Sequence, residues 1–363
     1  MKIFKKMDLV IIVILIIFSF IPHFIYSNVV SKNNKNLYAT IKVNGKVHTT
    51  IDLPLAFEKR LSISTDHGNN TIVINGNEIK IVEIEDLVSI NKENTEITKL
   101  NESAGVEKVK LSNLSYDILK KGIEYSKLSN GSCDITIGPL VKLWSIGLEG
   151  AKVPSKDEIN ETIGYIDYNN IEINDSTKEA FLTKEGMEVD LGSIAKGYAA
   201  DEVVKILKQE GIRSAIIDLG GNIYALGSKN SDNNWKVGIQ DSFSDRGKVI
   251  GAVEVFDKTV VTSGIYERFI EEDGVRYHHI LNPKTGYPYE TDIAGVSIIA
   301  DNSIDADALS TLTFTKGVKE GLKFVENLDN VDAIFITNDK KIYLTENIKD
   351  NFKLMSNDFE ISN

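Results

Sequence analysis

One cysteine, Cys133, stands in the whole chain, so an intramolecular disulfide framework and a cysteine-rich metal centre are both excluded. Positive charge is in deficit as well: 41 Lys and Arg against 53 Asp and Glu leave a net charge of −12. Nucleic-acid binding, which needs clustered cations along a phosphate backbone, drops out on that ground. No G-x-G-x-x-G fingerprint occurs, which removes a Rossmann dinucleotide domain. Internal repeats and low-complexity stretches are absent too. What remains has globular composition, 42% hydrophobic and 26% charged, and 363 residues give room for one large domain and a smaller one. An acidic chain that handles an anionic nucleotide needs a metal and a few local cations.

The N-terminus reads as a membrane-targeting device. Lys2, Lys5 and Lys6 precede an apolar stretch from Leu9 to about Tyr26, a length between a signal-peptide core and a full span. Ile25-Tyr26-Ser27 matches a small-x-small cleavage site poorly. Residues 1–30 are therefore expected to be an uncleaved signal anchor in the cell membrane, in preference to a cleaved peptide. The lysines stay cytoplasmic, and everything after residue 30 is exported. No cysteine follows the apolar run, which excludes a lipoprotein anchor.

A polar stretch, residues 28–37, links this leader to two hairpin signals. Tyr38 to Val43 and Lys46 to Ile51 flank Asn44-Gly45, while Thr71 to Ile74 and Glu78 to Ile84 flank Asn75-Gly76. Asn-Gly between β-formers favours a two-residue turn with positive φ. With Leu61 to Thr65 these segments are expected to form a small all-β module over 37–84. From residue 85 the pattern changes to helices alternating with strands, an α+β domain expected over 85–355. Helices are read over Leu114–Leu128, Ile194–Gln209, from Asp305, and over Lys316–Asn327. Strands are read over Met187–Leu191, Ser214–Asp218, Val249–Phe256, Thr259–Thr262, Gly295–Ala300 and Val331–Ile336.

Five blocks carry chemistry. In Gly131–Trp144, Gly138-Pro139 reads as a turn and Trp144 as a core aromatic. In Met187–Asp201 a strand runs into a helix through Gly192-Ser193, with Lys196 in the first helical turn. Free N–H groups there, with a lysine that opposes the helix dipole, suit a pyrophosphate; an ordinary strand-to-helix turn is the plainer alternative. Gly220-Gly221 allows close backbone approach. His278-His279 offers one general base near neutrality, and alternation along a strand sends the two rings to opposite faces, so at most one does chemistry. Finally, Asp307 and Thr311 share a helix face and can point two hard oxygens at one Mg²⁺; a helix cap is the plainer role for such an aspartate.

These blocks, above all Val189–Asp201, His278–Pro288 and Ala306–Thr311, resemble the FAD:protein FMN transferases, the ApbE-like flavin transferases. The resemblance covers roughly Glu85 to the C-terminus; the small module before it is similar to the second domain of NusG. It implies a flavin-transferase fold of mixed sheets and helices, FAD as substrate and Mg²⁺ as cofactor. FMN would go to a threonine or serine hydroxyl of an exported partner, with release of AMP. The metal would be held by Asp307, Thr311 and the Ser193 carbonyl. FAD would meet Asn91, Ser132, Cys133, Asp134, Asp190, Lys196 and Leu281, and His279 would be the base. Implied partners are FMN-bearing subunits of Rnf-type or Na⁺-translocating NADH:quinone oxidoreductase complexes. Two features depart from the family pattern: Asn282 replaces the usual Asp, and the opening Met-Gly-Thr strand with its long first helix is not visible. Asn91 stands where many members have an aromatic, and members with Asn there resemble Mg²⁺-dependent FAD pyrophosphatases. A flavin-binding protein without turnover is the third reading.

Overall fold

A computed structural model describes residues 84–362 except 85–86, 210, 230–231 and 246, and the backbone of strands within 37–80. The anchor expected over 1–30 lies outside the described residues; among those described, no helix is long and apolar enough to cross a membrane. Six α-helices are described in full: α1 (Glu96–Glu102), α2 (Asn113–Leu128), α3 (Gly138–Trp144), α4 (Lys156–Thr162), α5 (Ala195–Gln209) and α6 (Ser303–Val325).

An eight-stranded sheet organises the domain. Its order is Glu360–Ile361, Lys341–Leu344, Asp332–Thr337, Ile293–Ala300, Lys258–Gly264, Asn222–Leu226, Ser214–Asp218 and Arg60–Ser64. Burial on two faces explains why its central members are apolar at successive positions. Val261, Val296, Ile298, Ala333 and Phe335 face α5 and α6. Their neighbours Val260, Ile299, Ile334 and Ile336 face the other way, against a three-stranded sheet carrying Val237, Ile239, Ile250 and Val253. Both faces are covered, so both side-chain parities must be apolar.

Leu37–Val43 pairs with Lys46–Leu53, and Asn70–Ile74 with Asn77–Lys80, the hairpin pairings expected from sequence. The intervening strand behaves differently. Arg60–Ser64, grouped above with that module, pairs in parallel with Ser214–Asp218 as an edge of the main sheet. Two further expectations are corrected. Met187–Leu191 is not a strand: it forms a single bridge from Glu188 to Ile137, and the Asp190 N–H donates to the Ile135 carbonyl. Gly138-Pro139 opens α3 instead of making a free turn, using proline where a helix needs no N–H. The two C-terminal helices expected from sequence follow one another within α6, separated at Gly317, whose φ of 74° and ψ of 173° are not helical. Trp144 is the core aromatic expected, fully buried, its indole N–H donating to the Gly286 carbonyl at 2.8 Å.

Helices α5 and α6 cross at Gly197. A Cβ there would stand 2.2 Å from the Ser303 carbonyl and 2.6 Å from Ile304 Cα. Only glycine allows this approach. Gly197→Ala is therefore expected to cost at least about 1–3 kcal/mol by overpacking, read as a lowered midpoint in thermal unfolding.

Candidate functional site

A cleft of about 1460 Å³ opens beside this helix crossing. Asn91, Ser132, Cys133, Asp134, Asp190, Ser193, Lys196, His279, Leu281, Asp307 and Thr311, which are all the residues expected to act, line it together.

Asp307 lies in the second turn of α6, and its carboxylate is buried. It does not cap its own helix. That task falls to Asp201, which reaches over from α5 and accepts from the Ser303 and Ile304 N–H groups at 2.8 and 2.9 Å. Asp307 is thereby released for the cleft. Its Oδ2 accepts from Gly197 N at 2.9 Å, and Lys196 is the nearest cation acting on it. Burial still pushes the carboxyl up to about 6, so this oxygen pair is short of positive charge. Among the described residues no group of three or more His, Cys, Asp and Glu side chains could hold a metal. Asp307 with the Thr311 hydroxyl one turn on, and a backbone carbonyl at Ser193, fits a hard cation completed by phosphate oxygens and water.

The histidine pair divides its roles. His278 is buried; its Nε2–H donates to the Tyr289 carbonyl at 2.9 Å and its Nδ1 accepts from Ile280 N at 3.2 Å. Both nitrogens are occupied, so His278 is structural. His279 is half-buried, with Nδ1 3.2 Å from the Arg268 carbonyl. A carbonyl can only accept, so Nδ1 carries the proton and Nε2 keeps its lone pair for the cleft. Burial lowers the imidazole to about 4, aided by the charges of Arg268, His278 and Lys196 and opposed by that hydrogen bond.

The remaining side chains differ in what they offer. Asp190 Oδ1 accepts from Gly192 N at 2.7 Å and so holds the bend before α5; burial raises its pKa. Lys196 is exposed at the start of α5 and free to meet an anion. Asp134 lines the cleft, but its carboxylate is spent on structure, accepting from Thr136 N, Thr136 Oγ1 and Tyr168 N. The Cys133 thiol is pushed up to about 12, chiefly by burial, and stays neutral. Ser132 Oγ meets Thr315 Oγ1 at 3.0 Å, Leu281 is buried in the wall, and Asn91 is exposed at the rim. Asn282 makes the turn an aspartate would make, its Oδ1 accepting from Lys284 N at 2.9 Å.

Arg268 and Arg276 also line the cleft. Sequence reasoning gave them no role, because no motif marks them. Asp201 was overlooked too, although its position four residues after Gly197 puts both on one face of α5.

The ApbE family model matches residues 49–335. The chain belongs to the ApbE family. The matched span begins upstream of residue 85, inside the segment read as a separate module. Among curated relatives, the FAD:protein FMN transferase of Treponema pallidum (strain Nichols) is 38% identical over 282 residues, covering 74% of this chain and 78% of that one. The FAD:protein FMN transferase of Klebsiella pneumoniae (strain 342) is 35% identical over 277 residues, 76% and 86% of the two chains. Among solved structures, the ApbE protein of Thermotoga maritima superposes with a TM-score of 0.69 at 30% identity, over 78% of this chain and 96% of that one. The flavin transferase ApbE of Vibrio cholerae gives 0.68 at 26% identity, over 79% and 97%. The mixed α+β architecture of this chain is thus the ApbE fold.

Proposed function

We propose that the cleft transfers FMN from FAD to a threonine or serine hydroxyl of an exported partner protein. FAD:protein FMN transferase is the activity named for the curated relatives. The observation that carries the reading is the convergence of a base with a free Nε2, a charge-starved carboxylate and a lysine on one cleft.

Binding comes first. Lys196, exposed at the start of α5, receives the diphosphate, while Leu281 and the Ser132–Asp134 backbone wall the flavin nucleotide. Asp307, Thr311 and the Ser193 carbonyl would hold Mg²⁺, which when bound neutralises phosphate charge as AMP departs. His279 Nε2 takes the proton of the acceptor hydroxyl. The oxygen then forms a bond to the FMN-side phosphorus, the P–O bond to AMP breaks, and AMP leaves with the electron pair.

The basic leader and apolar stretch before residue 30 support a tethered, extracytoplasmic placement. Acceptors of this type are the FMN-bearing subunits of Rnf-type or Na⁺-translocating NADH:quinone oxidoreductases. The exposed Asn91 at the rim favours a second activity, hydrolysis of FAD to FMN and AMP, since no aromatic seals the flavin from water there.

Incubation with FAD, Mg²⁺ and such an acceptor domain is expected to yield one FMN adduct by intact mass, with one AMP released per adduct. An acceptor left unmodified, with FAD intact after hours, would remove the proposal. AMP release without adduct would favour hydrolysis, and Asn91→Tyr should then suppress it.

A further inference from the structure

A two-stranded ribbon, Phe269–Glu272 with Val275–His278, stands at the cleft and ends at the base His279. Its turn residues Asp273 and Gly274 have φ of 51° and 76°, the signature of a two-residue hairpin turn. Glu272 and Val275 are then a hydrogen-bonded pair, and so by alternation are Ile270 with Tyr277 and Arg268 with His279. The last pair is seen directly, His279 N donating to the Arg268 carbonyl at 3.1 Å. Phe269 and Glu271 consequently turn their N–H and C=O groups outward, and no other backbone group among the described residues meets them. The opposite edge is already used beside the base. There Tyr289 N donates to the Ile280 carbonyl and Asn282 N to the Tyr287 carbonyl.

We propose that the open edge of Phe269–Glu272 docks the acceptor polypeptide as an extended segment, adding a third strand that leads its hydroxyl to His279. This rests on the transfer reading above. Main-chain pairing to an exposed edge needs no particular acceptor fold, only an extended stretch. Continuity favours this occupant: Arg268 and Phe269, at the root of the edge, line the same cleft as His279. Charge sets its direction. Glu271, Glu272 and Asp273 outnumber the one cation facing them near the tip, Arg276, while Arg268 marks the root, so basic acceptor residues belong at the tip and the hydroxyl at the root. Phe269, 38% exposed with the Arg276 guanidinium over one face of its ring at 4.0 Å, offers apolar surface to the incoming side chains.

Glu271→Pro deletes one outward N–H without touching the ribbon's own pairs, and Glu271→Ala removes the side chain alone. With the acceptor domain that the wild type flavinylates, Glu271→Pro is expected to raise the acceptor KM about tenfold or more. FAD affinity, read by flavin fluorescence, should be unchanged in both variants. An acceptor KM within about twofold of wild type would overturn the proposal, as would a wild-type dimer that this proline dissociates without changing KM. A second measurement is independent of how the variant folds: acceptor peptides N-methylated at successive positions should lose transfer at every second position. A flat profile would overturn the docking. Absence of transfer by the wild type itself would instead condemn the transfer reading.

Discussion

His279→Ala is expected to lower FMN transfer by about 10²–10⁴-fold, the usual contribution of a positioned general base, while FAD affinity stays close to wild type. The geometry motivates this. Nδ1–H is tied to the Arg268 carbonyl, so the ring cannot rotate freely and Nε2 remains the only available lone pair. The pH profile gives an independent check. With the imidazole lowered to about 4, chiefly by burial, the base is already neutral above that value. The acid limb of kcat/KM in the free enzyme should therefore fall through about 4, well below the ordinary histidine value. Stability follows the same sign: a folded pKa below the unfolded one means the unfolded chain takes up the proton first, so this group's contribution is lost as pH falls from about 6.5 to about 4. Transfer that survives His279→Ala would move the base elsewhere, and His278 is a poor replacement because both of its nitrogens are engaged.

Asp307→Asn separates the metal from the scaffold. The substitution keeps an oxygen for Gly197 N and removes the charge. Apparent Mg²⁺ affinity is expected to fall by more than the 10–100-fold typical of outer-shell changes, with transfer reduced at least in proportion. Calorimetric titration of Mg²⁺ checks the first and initial rates against Mg²⁺ concentration the second. Stability without metal should move the opposite way. The folded carboxyl sits near 6, above its unfolded value, so its favourable contribution exists at low pH and is lost as pH rises through 6. At pH 7.5 the metal-free protein carries an ionised, buried and under-compensated carboxylate. The asparagine variant should then melt at the same temperature or higher without Mg²⁺, and should lose the gain that Mg²⁺ is expected to give the wild type. A variant that melts lower without metal, yet keeps that gain, would show Asp307 to be structural.

How much of this was legible beforehand can be argued residue by residue. The spacing of Asp307 and Thr311 and the alternation across His278 and His279 are local properties, fixed by helical and extended geometry over a few residues. Strands such as Ile293–Ala300 were visible because burial on both faces leaves a nearly continuous apolar run, with Ser297 tolerated through its hydrogen bond to Thr262. Met187–Leu191 misled for a related reason: its apolar alternation reflects burial of Met187, Val189 and Leu191 in the main core, with one β-bridge, Glu188 to Ile137, among the described residues. Arg60–Ser64 misled because β-propensity identifies a strand without naming its partner.

From the chain alone come the excluded classes, the helix carrying aspartate and threonine, and the fact that only one ring of the histidine pair can face a substrate. Tertiary structure alone showed that both nitrogens of His278 are engaged, that a carboxylate 102 residues away caps α6, and that Gly197 gives Asp307 its hydrogen bond across 110 residues. The reason is physical. Periodicity is written in neighbouring residues, whereas a cap supplied by another helix, or a crossing that only glycine permits, exists once distant segments have met.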